Sequence, residues 1–128
     1  MCPGGVIVPA MTDYRECVVN GMSASARSSR WANAGIVTEV RPEDFPHLHE
    51  EWGVLAGLKY RQQLERRAAE IVGGGGTAPA QRLSDFVTGR QSFDLPRTSY
   101  LPKAVPMRGE EWLPDYIAES LRGGFRQW

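Results

Sequence analysis

Cysteine is scarce in this chain: Cys2 and Cys17 are the only two among 128 residues. Two cysteines cannot build the disulfide framework of a small secreted domain, and their spacing fits no metal motif, so a reducing, cytoplasmic setting is expected. Histidine is as scarce, and His47 and His49 sit in one loop next to Glu50 and Glu51. That segment has metal-ligand residue types but no identifiable third ligand, so no metal is expected. Ser23 has no recognisable His and Asp partners, and triad chemistry lacks support. Net charge is also missing, since 15 Lys and Arg balance 15 Asp and Glu. Interspersed charges of both signs argue against a nucleic-acid or membrane-surface role driven by electrostatics. No apolar run approaches the ~20 residues needed to span a bilayer. A secretory leader, basic and then apolar, is not visible at the N-terminus.

What the chain does have is glycine and proline, 14 and 9 residues, mostly in clusters. These read as turn punctuation, not as disorder. The length allows one domain at most, with a modest core. Residues 5–10 are β-branched and apolar and predict a strand; residues 12–16 are turn-like, and residues 17–20 predict the returning strand. Residues 36–40 alternate apolar with polar and predict a third. Together they imply a small antiparallel sheet. Between the second and third runs, residues 23–33 are too many for a tight hairpin and read as a surface or site-lining loop.

From about Trp52 the period changes. Tyr60, Leu64, Ala68 and Ile71 fall three or four apart, the pattern of an amphipathic helix. The glycine run at 73–76 ends it. Thr77-Ala78-Pro79 is expected to open a second helix, with Leu83, Phe86 and Val87 on one side and Gly89 closing it. Residues 91–108 contain Pro96, Pro102 and Pro106 and should be extended and irregular. A last helix starts near Pro114, with an apolar stripe of Ile117, Leu121, Phe125 and Trp128. The reading is therefore α+β, a small antiparallel sheet followed by about three helices, in a single partial domain covering 1–128. Both termini look cut, since the chain opens on a turn and stops on an apolar helix face.

The clusters Pro3-Gly4-Gly5 and Asn20-Gly21 each adjoin a short apolar run. Glycine removes the Cβ that would keep a backbone away from a flat or charged object, so these clusters are either close-approach surfaces or ordinary turns at strand ends. Arg27 offers a planar fork for an anionic group, and Arg30 is an equally plausible surface charge. Cys2 and Cys17 lack a C-x-x-C partner and read as thiols packed in the fold. Gln81 either reaches a ligand or caps a turn.

Several segments, taken in order, carry a family likeness: Met1-Cys2-Pro3-Gly4-Gly5, Asn20-Gly21-Met22-Ser23, Ala32-Asn33-Ala34-Gly35-Ile36-Val37 and Pro42-Glu43-Asp44-Phe45. Leu55-Ala56-Gly57-Leu58, Ala78-Pro79-Ala80-Gln81-Arg82-Leu83 and Thr98-Ser99-Tyr100-Leu101-Pro102 continue it. The chain resembles the central, non-Rossmann segment of uncharacterised FAD-dependent dehydrogenases of the FAD/NAD(P)-binding flavoprotein superfamily. It departs from the pattern at Ala24-Ser25-Ala26, Ser28 and Lys103, which leaves the substrate unassigned.

The resemblance implies a fragment of an FAD-dependent oxidoreductase, forming the substrate-side cover of the flavin. Pro3, Gly4, Gly5, Asn20, Gly21, Met22 and Ser23 would then bind the cofactor, and Arg27 and Gln81 the substrate. FAD is the implied cofactor of the intact protein, with NAD(P) as a second candidate. The implied partners are an FAD-binding Rossmann portion, in the same or another chain, and an unknown small-molecule substrate. No strand-bounded G-x-G-x-x-G occurs, and residues 73–76 follow a helix, so this chain alone should neither hold FAD tightly nor catalyse. The alternative is a stand-alone interaction module, or split-gene subunit, docking on a nucleotide-binding partner through Phe125 and Trp128.

Overall fold

The computed structural model describes residues 2–127. The chain is mixed α+β, and its strands form three separate pairs. β1 (Cys2–Pro3) pairs antiparallel with β4 (Ala32–Asn33), and β2 (Gly5–Pro9) pairs antiparallel with β3 (Val19–Ser23). β5 (Thr77–Ala80) and β6 (Lys103–Pro106) run parallel. Four helices follow the first four strands: α1 (Pro46–Trp52), α2 (Ala56–Glu70), α3 (Leu83–Thr88) and α4 (Asp115–Phe125). None is long and apolar enough to cross a membrane.

The first hairpin forms as its composition demands, though the returning strand begins at Val19, two residues later than expected, and runs to Ser23. The third predicted strand does not form. Residues 36–40 have no regular structure, and Val37 is 91% exposed. The alternation buries no apolar face, since Ile36, Val37 and Val40 are all exposed; it is the polar Thr38 whose Oγ1 lies 2.5 Å from Ser120 Oγ of α4. Two-residue β4 takes the pairing position instead.

A second correction concerns Thr77-Ala78-Pro79, which is strand and not helix. Pro79 can sit in a two-stranded pair because its missing N–H faces the open edge. The partner, β6, falls in the stretch expected to be irregular; Pro106 ends it, and Met107 N donates back to Ala80 O at 2.9 Å. α3 therefore starts only at Leu83, which is 53% exposed, while Phe86 is buried. Gly89 closes α3 in the left-handed region, φ +70°, as a C-terminal glycine does.

The core lies among the helices. Phe45, Leu48 and Ala56 form its buried cluster, and Phe45 stacks on Tyr60 with ring centroids 4.7 Å apart. His49 stacks on the same ring at 5.2 Å, so this histidine serves packing. Tyr60 and Tyr116 share a 2.7 Å hydroxyl contact that ties α2 to α4. Ile117 and Ala118 are buried on α4, and the Phe125 ring meets Phe86 edge-on. Of the rest of that predicted stripe, Leu121 is half-buried and Trp128 lies outside the described residues. Arg122 Nε donates to Phe86 O at 2.8 Å and Arg126 to Val87 O at 3.3 Å. Arg122 of α4 and Arg126 just past its end thus add donors to the carbonyls at the end of α3, where Phe86 O also accepts from Gly89 N at 3.2 Å.

Candidate functional site

The β2–β3 register brings the two glycine clusters together. Gly5 faces Ser23, Val6 faces Met22, Ile7 faces Gly21 and Val8 faces Asn20. Gly4, at φ +66°, makes the bend between β1 and β2. Each cluster glycine is needed because the chain itself occupies the space where a side chain would begin. A Cβ on Gly4 would overlap the Arg27 backbone. One on Gly5 would strike the Asn33 amide, and one on Gly21 would lie 2.6 Å from Asn33 Oδ1. Asn33 Nδ2 donates to Val6 O and Met22 O, both at 3.3 Å, and so pins the two strands from one side.

Asn33 is thus the residue that sequence reasoning left out of the site. Its signal was present, as a short amide side chain in a segment already carrying the family likeness. The close approach expected of Gly4, Gly5 and Gly21 exists, but it is an approach to Arg27 and Asn33 of the same chain.

β3 is exposed along its whole length, with Met22 at 55%. It has β2 on one side only, so alternate backbone N–H and C=O groups on its outer edge have no ladder partner. Pro3 and Ser23 line a small cavity of about 130 Å³ with Cys2 and Arg27. Arg27 is the one described non-glycine residue at positive φ (47°), and its guanidinium has no carboxylate partner among the described residues. Cys2 is exposed and Cys17 half-buried, both as free thiols; burial pushes the Cys17 thiol up from its ordinary value.

Gln81 stands apart from this cluster. Its Nε2 donates to Arg90 O at 2.7 Å and its Oε1 accepts from Gly109 N at 2.8 Å, so both ends of the amide hold backbone. The same residue borders a cavity of about 270 Å³ between β2 and the β5–β6 pair. A larger cleft of about 420 Å³, unanticipated from the sequence, lies between Tyr14, Arg15 and Arg66 and the glycines after α2. Its arginines are engaged: Arg15 hydrogen-bonds the Asp13 carboxyl and holds it down to about 2, and Arg66 is 3.7 Å from Glu16.

These residues fit one part of a dinucleotide and not another. A pyrophosphate needs a glycine turn at a helix N-terminus. Here α1 begins at Pro46, α3 at Leu83 and α4 after Pro114; α2 begins at Ala56 behind a single glycine, Gly53, and the exposed Val54 and Leu55; and the glycine run follows the C-terminal, electronegative end of α2. A flat ring needs an open, low-relief face with backbone groups to spare, and β3 offers that.

A family model described as "FAD-dependent protein, C-terminal domain-like" matches residues 1–128. A protein of Clostridium beijerinckii, described only as uncharacterized, is 37% identical over 126 residues. That match covers 97% of this chain and 23% of the relative, so the chain spans less than a quarter of that protein's length. The chain belongs to the family of FAD-dependent proteins that this C-terminal domain-like unit defines.

Proposed function

We propose that, in the intact FAD-dependent protein, the β2–β3 hairpin covers the isoalloxazine ring on its substrate side, as part of an oxidoreductase of the dehydrogenase type. Bound FAD supplies the electron or hydride transfer. The residues of this chain shape and orient. Pro3, Gly4 and Gly5 with Asn20 and Gly21 bring backbone to the ring, Met22 lines the space over it on the strand face opposite Asn33, Ser23 borders the Arg27 cavity on the other face, and Arg27 receives an anionic group of the substrate or of NAD(P). The pyrophosphate is held by a Rossmann portion outside residues 1–128, in the same or a partner chain. Val54, Leu55 and Leu58, exposed around the start of α2, are suited to be covered by that portion. The isolated chain is then no enzyme.

One observation carries this reading: two glycine clusters distant in sequence are locked side by side under Asn33, leaving β3 exposed with unpaired backbone. Charges placed at Met22 test it without knowledge of the substrate. In the full-length protein, Met22→Lys should raise the flavin reduction potential and Met22→Glu should lower it, because a nearby charge stabilises or opposes the reduced, more anionic ring. Glu119→Lys, an exposed change on α4, should leave the potential where it was. Identical potentials in both Met22 variants would remove the hairpin from the flavin.

A further inference from the structure

The cavity beside Gln81 is built from two kinds of wall. Ile7, Trp31, Leu95 and Pro96 are among its apolar lining, and Arg97, Thr98 and Ser99 bring polar groups to it. No carboxylate side chain lines it. The Arg97 guanidinium has no ion-pair or hydrogen-bond partner among the described residues. Ser99 Oγ accepts from Ile7 N at 3.0 Å and Thr98 Oγ1 accepts from Tyr100 N at 3.2 Å. Each hydroxyl is thereby fixed in place as an acceptor, while its own hydrogen has no acceptor within the described residues. Gln81, with both amide ends held by backbone, forms a rigid part of the rim. A second cation stands close, since Arg30 lies over the Trp31 ring at 5.0 Å.

A guanidinium fork and two hydroxyl donors beside apolar side chains, with no anion of the protein's own, define the complement they would bind. We infer that this cavity is a binding site for a small monocarboxylate with an apolar or aromatic body. The carboxylate pairs with Arg97 and accepts from Thr98 and Ser99, and the body lies along Trp31, Leu95 and Pro96. The site is separate from the hairpin cavity at Arg27 and does not rest on the flavin reading.

The test titrates 4-fluorobenzoate, and separately its neutral analogue 4-fluorobenzamide, into the full-length protein and follows the ligand by fluorine NMR. Saturable binding of the acid is expected, with the amide roughly tenfold weaker or worse, as loss of a charge-assisted bidentate pair requires. Arg97→Gln, an exposed change, should weaken the acid to a similar degree, and Arg41→Gln, an exposed change away from the cavity, should not. Absence of saturable binding, equal binding of acid and amide, or insensitivity to Arg97→Gln would each overturn the inference. Sensitivity to Arg27→Gln alone would also overturn it, by placing the carboxylate at the hairpin. The flavin potentials of the Met22 variants are independent of all four results, so the two readings fail separately.

Discussion

The strand region before Arg41 and the helical region after it are stabilised by different means. In the helical region, burial dominates: Phe45, Leu48, Ala56, Phe86, Ile117 and Ala118 are all nearly inaccessible to solvent. In the strand region, β3 is exposed throughout, and cohesion comes from backbone packed against backbone and from one asparagine amide. Apolar burial is non-directional and tolerates repacking; a backbone contact filled to the last ångström fixes a shape. The helical region is therefore the anchor. The strand region is a rigid, thin surface held at a set distance from it, which is the division of labour expected where one face meets a cofactor or partner.

The comparison breaks first at Phe45. Phe45→Ala removes a buried ring from between Tyr60 and His49 and should lower unfolding stability by about 3–4 kcal/mol in chemical denaturation. A loss below about 1 kcal/mol would mean that the helices are not the anchor.

Gly4→Ala comes next, at about 2–3 kcal/mol, because it combines overlap with the Arg27 backbone and a left-handed φ. Gly21→Ala follows at about 2 kcal/mol, from the Asn33 side chain alone. These two differ in a way that sharpens the account. In an Asn33→Ala background the cost at Gly21 should fall by about 1 kcal/mol, since the obstructing amide is gone, and the cost at Gly4 should persist. Strict additivity at Gly21 would show that Asn33 does not fill that space.

The smallest effect is electrostatic and belongs to the helical region. Burial pushes the Glu110 carboxyl up, but its own backbone N–H and Arg122 outweigh this and hold it below the ordinary carboxylate value. Arg108 adds a looser ionic contact at 3.6 Å. A folded-state value below the unfolded one contributes stability that is complete above the ordinary carboxylate range. That contribution fades as pH falls through the depressed folded value. Glu110→Gln should therefore lower stability across the neutral and alkaline range by a constant amount, flatten the acid limb of the profile, and leave the slope of the alkaline limb unchanged. An unchanged acid limb would assign the lost stability to other carboxylates.

Legibility in the sequence followed the range of the interactions. Helices α2 and α4 were readable because their stripes and one boundary of each, the stop at residues 73–76 and the start at Pro114, are local. The hairpin of residues 5–9 and 19–23 was readable, as runs at 5–10 and 17–20, because apolar runs flank turn residues; the short pair of residues 2–3 with 32–33 was not. The strand at 77–80 was not, since Thr-Ala-Pro also opens helices and its partner lies more than twenty residues on. Residues 36–40 alternate with no buried face behind the pattern, since Ile36, Val37 and Val40 all stay exposed and the contact to α4 is made by the polar Thr38. In the candidate site, the glycines were visible and their neighbours were not. That Asn33 occupies the space beside Gly5 and Gly21 depends on β4 crossing beside β2, a tertiary fact with no local signature. That Arg97 has no partner among the described residues is of the same kind, since it depends on which carboxylates the fold brings near.

The central claim is that β3 faces the flavin, and proximity is what it asserts. The most direct measurement is the flavin fluorescence lifetime of the full-length protein carrying Met22→Trp, with Glu119→Trp as the remote control. An indole in contact with an excited flavin quenches it by electron transfer, and one held far away does not. The account predicts a markedly shortened lifetime in the Met22 variant and an unchanged one in the control. Equal lifetimes in both, with FAD still bound, would contradict it.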